Sequence, residues 1–242
     1  MSIYVIADLH LSFNDPKPMS IFGSNWENHE EKIRQDWTRK VRDEDTVLLL
    51  GDFSWAMHLR DTLKDFEYLN SLPGRKILLR GNHDYWWATK ASMDNFLIEN
   101  NIKNIEFMQN NSIEVENKIV CGTRGWTLAN TDTENSKKMI NRECIRLELS
   151  IQDALSKCTN GQEVIACMHY PPIIKSNIAT NEMTDFIRIM IKYDIKRCFY
   201  GHLHGTSINE AVKGDVFGVN LELVSADGRN FELLKLDEHL KM

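Results

Sequence analysis

The chain has 242 residues, of which 42% are apolar, a proportion that is ordinary for a globular protein. This length is enough to bury a sizeable core, and because no Pro/Gly/Ser linker interrupts it, we expect one domain over residues 1–242. The formal net charge of −6 argues against a general binder of nucleic acid or membrane surfaces, since such proteins usually carry a basic field.

The apolar runs and the cysteines favour a cytoplasmic protein. No apolar run approaches the length of a membrane span, and the opening MSIYVIADLH reaches ionisable residues too early for a secretory leader. The five cysteines are odd in number, and no C-x-x-C occurs. We therefore expect reduced thiols rather than disulfides or a cysteine metal site.

In chain order, short runs rich in Ile, Val and Leu alternate with segments of helical period, which predicts an α/β fold. The runs are predicted to be strands buried on both faces: SIYVIA (2–7), TVLLL (46–50), KILLR (76–80), EVIACM (163–168) and KRCFY (196–200). Apolar residues on one helical face predict one helix through Ile33, Trp37 and Val41 and another from Ile140 to Cys158. Residues 104–122 and 215–236 are predicted to form hairpins that turn at Glu-Asn and Asp-Gly.

The segment 12–32, with Pro16 and Pro18, is predicted to be a loop over the mouth of a site. Several tryptophans lie near this segment and the motifs described next: Trp26, Trp55, Trp86, Trp87 and Trp126. We expect them to be core or pocket wall, with stacking on a nucleobase as the alternative.

Polar and ionisable residues directly follow each predicted strand. They are Asp8-Leu9-His10, Gly51-Asp52, Gly81-Asn82-His83-Asp84, His169, and Gly201-His202-Leu203-His204. Because the carboxyl ends of strands in an open α/β sheet share one edge, we expect these segments to converge there. In an extended backbone, side chains two residues apart point to the same face. On this basis Asp8 and His10 are expected to share one metal ion, and His202 and His204 another.

The ordered set D-L-H, G-D, G-N-H-D, H and G-H-L-H resembles the calcineurin-like metallophosphoesterase superfamily over residues 8 to 204. The resemblance implies a two-sheet β-sandwich flanked by helices, in four α/β/β/α layers, with a dinuclear metal centre. It assigns one ion to Asp8, His10 and His204 and a second ion to Asn82, His169 and His202, with Asp52 as the bridge. The sequences GDFSWAM and GNHD depart from the protein serine/threonine phosphatases and indicate the small prokaryotic-type phosphoesterase branch.

A ligand set of nitrogen and oxygen, without cysteine, favours two divalent transition-metal ions, Mn, Fe or Zn, over Ca or Mg. Two such ions against two carboxylates, Asp8 and Asp52, leave a charge of about +2 that suits a phosphate anion. The hypothesis is a hydrolase in which a metal-bridging hydroxide attacks the phosphorus of a phosphate ester, with monoester and diester both open.

Three further residues are given roles on the same hypothesis. His83 is expected to donate a proton to the leaving oxygen or to hydrogen-bond the phosphate, and Asp84 to hold the His83 ring in the right tautomer. Arg124, in GTRGW, is expected to clamp the phosphate, with a surface arginine as the alternative.

Two other functions remain open. A nuclease-like phosphodiesterase would share the metal ligands, but it would usually have a basic groove, and the longest Lys/Arg run here is Lys137-Lys138. A catalytically silent binding scaffold would lack some ligands, whereas every ligand position is filled. The expected partner is therefore a small phosphate-ester substrate rather than nucleic acid or a membrane.

Overall fold

A computed structural model describes residues 1–129, 131, 133–159 and 161–236 of the chain. Within them, the strands are β1 Ile3–Ile6, β2 Thr46–Leu50, β3 Arg75–Leu79, β4 Ile105–Met108, β5 Ile113–Val115, β6 Lys118–Thr123, β7 Glu163–Met168, β8 Arg197–Tyr200, β9 Gly214–Val216, β10 Val219–Leu223 and β11 Leu234–Lys235. The α-helices are α1 His29–Lys40, α2 Leu63–Asn70, α3 Lys90–Glu99, α4 Glu134–Lys157, α5 Lys175–Thr180 and α6 Asp185–Lys192.

The strands form two mixed sheets. The first has the order β11-β1-β2-β3-β4, in which β1 to β4 are parallel and β11 is antiparallel to β1. The second has the order β5-β6-β7-β8-β10-β9, with a parallel centre and an antiparallel strand at each edge. Two predicted strands coincide with β2 and β7, the bounds of β1 and β3 differ by one residue at each end, and those of β8 differ by one residue at its start.

Apolar side chains of both sheets meet in a shared core. This core includes Val5, Leu50 and Leu79 from the first sheet and Val120, Ile165 and Phe199 from the second. Helices cover the outer faces: α1 and α2 pack on the first sheet through residues such as Trp37 and Phe66, and α4 and α6 pack on the second through residues such as Leu147 and Phe186. The two sheets flanked by helices confirm the expected α/β fold class.

The two predicted helical stripes are confirmed. Ile33 and Trp37 are fully buried on α1, and Leu147 and Ile151 are fully buried on α4. All five cysteines carry free thiols, as expected. In the described part of the chain, none of the helices has both the length and the apolarity to cross a bilayer.

The hairpin predictions are only partly right. Strands β5 and β6 form a hairpin around Glu116-Asn117, but β4 pairs in parallel with β3 in the other sheet. The late hairpin joins β9 to β10 through Phe217-Gly218, whereas the predicted Asp227-Gly228 turn lies in a single turn of 3-10 helix. This prediction is wrong because the Asp227 side chain hydrogen-bonds His204 and Gly205 instead of closing a hairpin.

Candidate metal centre

The carboxyl ends of five parallel strands, β1, β2, β3, β7 and β8, come together at one rim of the molecule. Backbone hydrogen bonds join the ends, with Asp8 N donating to Gly51 O at 2.9 Å and Gly201 N donating to His169 O at 3.1 Å. The predicted convergence of the motifs is therefore observed. The strands belong to two sheets, however, and not to the single open sheet from which the convergence was argued.

The side chains at this rim form two clusters. The possible ligand atoms of Asp8, His10 and His204 all lie within 4.8 Å of one another. A second set with the same spacing contains Asp52, His169 and His202. We call these sets the first and the second cluster. They separate the histidines in the way that the family resemblance implies.

The spacing argument for His202 and His204 is wrong, because these two residues lie in different clusters. His202 has a φ of 74°, in the left-handed region, so the backbone is not extended and residues two apart no longer face the same side. Asp8 and His10 do share a cluster, but with φ values of 64° and 48° they also lie outside the extended region. Their proximity therefore comes from a turn and not from a strand.

Asn82 completes the second cluster. Its Oδ1 lies 2.7 Å from His169 Nε2 and 2.8 Å from His202 Nδ1. These three donor atoms, which come from the ends of β3, β7 and β8, therefore point at a common position.

Asp52 belongs to the second cluster and also faces the first. Its Oδ2 is 3.8 Å from His10 Nε2 and 3.5 Å from His169 Nε2, one imidazole from each cluster. Its Oδ1 accepts a hydrogen bond from the backbone N of His83 at 2.7 Å. Gly81 allows this approach, since a Cβ there would lie 2.1 Å from Asp52 Oδ1. One oxygen of Asp52 is thus held by the backbone, and the other faces both clusters.

Two hydrogen bonds orient the imidazoles. His204 Nδ1 lies 2.8 Å from Asp227 Oδ1, and His169 Nδ1 lies 3.0 Å from Leu50 O. In each ring the Nε2 atom is thereby turned toward its cluster, an arrangement that is usual for metal-ligating histidines. Sequence analysis missed Asp227. It follows the apolar run VNLELV, so the same strand-end reasoning, applied to residues 219–224, could have found it.

The pKa values of the two buried carboxylates at the rim are shifted in opposite directions. Burial opposes ionisation of Asp8, but His204, His169 and His10 together outweigh it and hold the pKa of Asp8 below its ordinary value. Burial and the neighbouring Asp8 raise the pKa of Asp52 to about 8. Two buried acids side by side disfavour two negative charges, and positive charge at the rim would relieve this repulsion.

Most of the imidazoles are held neutral. Burial lowers the pKa of His10 and His169, and burial together with His169 lowers that of His202 to about 3. His204 is the exception: burial would lower its pKa, but Asp8 and Asp227 raise it to about 10. Neutral imidazole is the form that binds metal ions.

The rim fits a pair of divalent cations. Asp8 Oδ1 and His204 Nε2 face each other at 3.2 Å, and a neutral His204 would turn the lone pair of Nε2 toward the carboxylate, so a cation is needed between them. His10 Nδ1 is buried and makes no hydrogen bond to any described residue, which costs about 1–3 kcal/mol if it is left unmet. Because His169 Nδ1 faces Leu50 O, the neutral ring presents a lone pair at Nε2 toward Asn82 Oδ1, which is also an acceptor. A cation between these nitrogen and oxygen donors would satisfy both, and the donor types suit Mn, Fe or Zn.

His83 lies beside the first cluster and is half-buried. Its ring centroid is 5.6 Å from that of His10 and 4.4 Å from that of Trp55. The expected contact, in which the His83 ring would donate to the Asp84 carboxylate, is not made. The Asp84 carboxylate instead accepts from five N–H groups: those of Asp52, Phe53, Ser54 and Gly81 in the backbone, and Nε1 of Trp86. Asp84 thus fixes the backbone around Asp52 and does not orient His83.

Arg124 lies on the flank of the rim. Its guanidinium is 3.9 Å from the buried Glu143 of α4 and stacks over the Trp126 ring at 4.9 Å. Its backbone oxygen accepts from Tyr170 N at 2.9 Å, and the Tyr170 ring lies 4.1 Å from that of His202. Within the described residues Arg124 Nε has no hydrogen-bond partner. The contacts of Arg124 are therefore with α4 and Trp126, beside the second cluster.

Comparison with known families gives a match to the calcineurin-like phosphoesterase model over residues 1–206. Among curated proteins, the Gene 66 protein of Mycobacterium phage L5 is 30% identical over 78 residues, which make up 32% of this chain and 37% of that protein. The alignment thus spans little more than a third of the phage protein's length.

Solved structures resemble the chain over nearly its whole length. Phosphopantetheinyl hydrolase of Mycobacterium tuberculosis has a TM-score of 0.56 at 12% identity, covering 100% of this chain and 97% of that one. The protein TT1561 of Thermus thermophilus has a TM-score of 0.58 at 12% identity, covering 96% of each chain. At such low identity these similarities speak for the fold alone.

Proposed function

Because this chain belongs to the calcineurin-like phosphoesterase family, we propose that it hydrolyses phosphate esters with two divalent transition-metal ions held at the rim. The observation that carries the proposal is the position of Asp52, whose Oδ2 faces an imidazole of each cluster at 3.8 and 3.5 Å. A carboxylate placed between two sets of nitrogen and oxygen donors is suited to bridging a pair of ions.

The ligands follow from the clusters. Asp8, His10 and His204 would hold one ion, Asn82, His169 and His202 would hold the other, and Asp52 would bridge them. When bound, the ions would supply positive charge to a phosphate and lower the pKa of a water molecule that attacks it. Manganese, iron and zinc all suit this donor set.

The remaining residues act on the substrate or on the ligands. His83 would hydrogen-bond the phosphate and supply a proton to the leaving oxygen, since its ring lies at the mouth beside His10. Asp84 would position Asp52 through the backbone N–H groups that it binds. Arg124 would bind a negative group of the substrate at the flank through its fork of donors.

The proposed substrate is a small phosphate ester in the cytoplasm, either a monoester or a diester. The whole chain, residues 1–242, would act as one domain. A net charge of −6 is unfavourable for a nucleic-acid substrate, which makes a nuclease the second choice.

The test combines metal analysis with assays on 4-nitrophenyl phosphate and bis(4-nitrophenyl) phosphate. We expect about two ions per chain and turnover of at least one of the two substrates. The variant Asp52→Asn should lose turnover by a factor of at least about 100 and bind fewer ions, because the bridging charge is gone. Asp94→Asn, on the surface of α3, is the matched control and should behave as wild type. Full turnover by Asp52→Asn would contradict the proposal.

A further inference from the structure

A cavity of about 450 Å³ opens beside the first cluster. His10, His204 and His83 line one side of it, so the space is continuous with the position where the phosphate would bind. A volume of this size lies within the range of pockets that enclose small organic ligands. We call it the aromatic cavity, after the residues that form its other side.

That other side is built from Met19, Phe22, Trp26 and Trp55. The Trp55 ring is fixed, since its Nε1 donates to Met19 Sδ at 3.2 Å and its face stacks on His10 at 4.8 Å. Trp26 is 2% exposed and meets His204 edge-on at 5.6 Å. These contacts hold both indoles in place, so the wall is already formed without a ligand.

Phe22 differs from the two tryptophans. It ends the single 3-10 turn Met19–Phe22, whose first and last residues line the cavity, and it is 60% exposed. Its neighbour Ile21 is 75% exposed but does not line the cavity. An exposed phenyl ring at the edge of a pocket is free to pack on whatever enters it.

The lining also excludes one kind of ligand. Among the described residues no Asp, Glu, Lys or Arg lines the aromatic cavity. A charged group placed against this wall of the cavity would lose its hydration and find no carboxylate, ammonium or guanidinium of the lining to pair with. An uncharged flat ring, in contrast, would bury apolar area and stack against the indole and phenyl rings.

We infer that the aromatic cavity binds the organic part of the substrate and that this part is an uncharged, flat ring system. The inference rests on the proposed function, since His10 and His204 place the cavity next to the ion pair. It assigns the chain to aromatic phosphate esters, in which the ring is either bonded to the ester oxygen or carried by a sugar as a nucleobase. Phe22 is then a residue that determines specificity without touching the reacting atoms.

The test compares 1-naphthyl, phenyl and ethyl esters, as monoesters or diesters according to which series the protein hydrolyses. Wild type should prefer naphthyl to phenyl and phenyl to ethyl in kcat/KM. The variant Phe22→Ala should lower kcat/KM for the naphthyl ester by about fivefold or more, mostly through KM, and leave the ethyl ester nearly unchanged. Phe22→Tyr should retain the preference. Ile21→Ala is the matched control and should behave as wild type toward all three esters.

Two further experiments show whether the ring is a nucleobase and whether the cavity binds a ring independently of hydrolysis. A Phe22-dependent preference for adenosine 5′-phosphate over ribose 5-phosphate would support the inference, with a nucleobase as the ring. Binding of 1-naphthylmethylphosphonate, a non-hydrolysable analogue, is measured by calorimetry against methylphosphonate. Phe22-dependent binding without hydrolysis of any ester would support the cavity and overturn the proposed function. Equal use of all three esters by wild type, or an equal effect of Phe22→Ala on each, would overturn the inference.

Discussion

The buried carboxylate of Asp84 fixes the backbone around Asp52 and Gly81. Its two oxygens accept from the backbone N–H groups of Asp52 and Gly81, among others, and the residue is fully buried. Burial and the nearby Asp52 raise the pKa of Asp84 to about 6. In the motif GNHD, Asp84 thus fixes the backbone, while Asn82 is the proposed ligand and His83 the residue proposed to face the substrate.

The first prediction concerns His83, which is adjacent to the proposed ligand Asn82 but belongs to neither cluster. His83→Ala should leave the ion content intact and lower kcat by about 100-fold or more, because a proton donor is removed while the ligands stay in place. Ion content by elemental analysis and kcat are measured on the same preparation. His58→Ala, at an exposed position, is the control. Loss of ions from His83→Ala would show that the residue had been given the wrong role.

The second prediction is the pH dependence of ion binding. The pKa of His204 is raised to about 10 and that of Asp52 to about 8, so below pH 8 both groups carry protons that an ion must displace. Ion affinity should therefore increase as the pH rises through this range, with release of about two protons per ion pair at pH 7. Calorimetry in two buffers of different ionisation enthalpy counts these protons.

The variant Asp227→Asn tests whether His204 is the source of this pH dependence. Asp227 helps to raise the pKa of His204, so removing its charge should shift the rise in affinity to lower pH. An ion affinity that is the same at pH 6 and pH 8, in wild type and variant alike, would contradict the assignment of His204 and Asp52 as ligands.

Most residues of the rim were predictable from residue types, but their division into two clusters was not. Each proposed ligand follows an apolar strand, and this is visible in the printed sequence. Which histidines share a cluster depends on left-handed turns such as that at His202, with a φ of 74°, and turns of this kind leave no periodicity to detect. The pairing came instead from the family resemblance. The hydrogen bonds from the backbone N–H groups of residues 52–54 to Asp84 could not be predicted either, because these residues are far from Asp84 in the sequence.

At the scale of elements, α4 is fixed to the end of β6 through a buried acid. Glu143 is fully buried, accepts from Thr123 Oγ1 at 2.6 Å and lies 2.8 Å from the guanidinium of Arg146. Ser150, two helical turns further on, accepts from Gly122 N at 2.8 Å. Helix α4 thereby holds the GTRG turn, and with it Arg124, beside the second cluster.

The third prediction is a substitution at this junction. Glu143→Gln should lower the free energy of unfolding by about 1–3 kcal/mol, because the charge that pairs with Arg146 and Arg124 is lost from a buried position. Chemical denaturation measures the change. Glu134→Gln, in the exposed first turn of the same helix, is the matched control and should be nearly neutral. Equal stability of the two variants would mean that Glu143 does not fix the helix.

Elements buried on both faces were the most predictable, since a run such as TVLLL has one simple interpretation. The edge strands of the first sheet were not. Strand β4 pairs with β3 and β11 pairs with β1, although each was assigned to a local hairpin. Their partners are chosen by burial in the core between the sheets, where Met108 and Leu234 pack, and local turn residues carry no information about that core.

The whole molecule is two sheets with one shared core and one shared rim. Asp8, Asp52 and Asn82 follow strands of the first sheet, and His169, His202 and His204 follow strands of the second. Each proposed ion would therefore have ligands from both sheets. Ion binding would link the two sheets. It would also stabilise the folded protein, because an ion that binds only the folded state shifts the folding equilibrium toward that state.

The proposal that the rim holds two ions side by side can be tested by a crystal structure of the protein loaded with manganese or zinc, with anomalous difference maps collected at the absorption edge of the metal. We expect two peaks about 3.5–4 Å apart, with Asp52 between them and Asp8, His10 and His204 around one peak. A single peak at saturating metal, or two peaks that do not share Asp52, would contradict it.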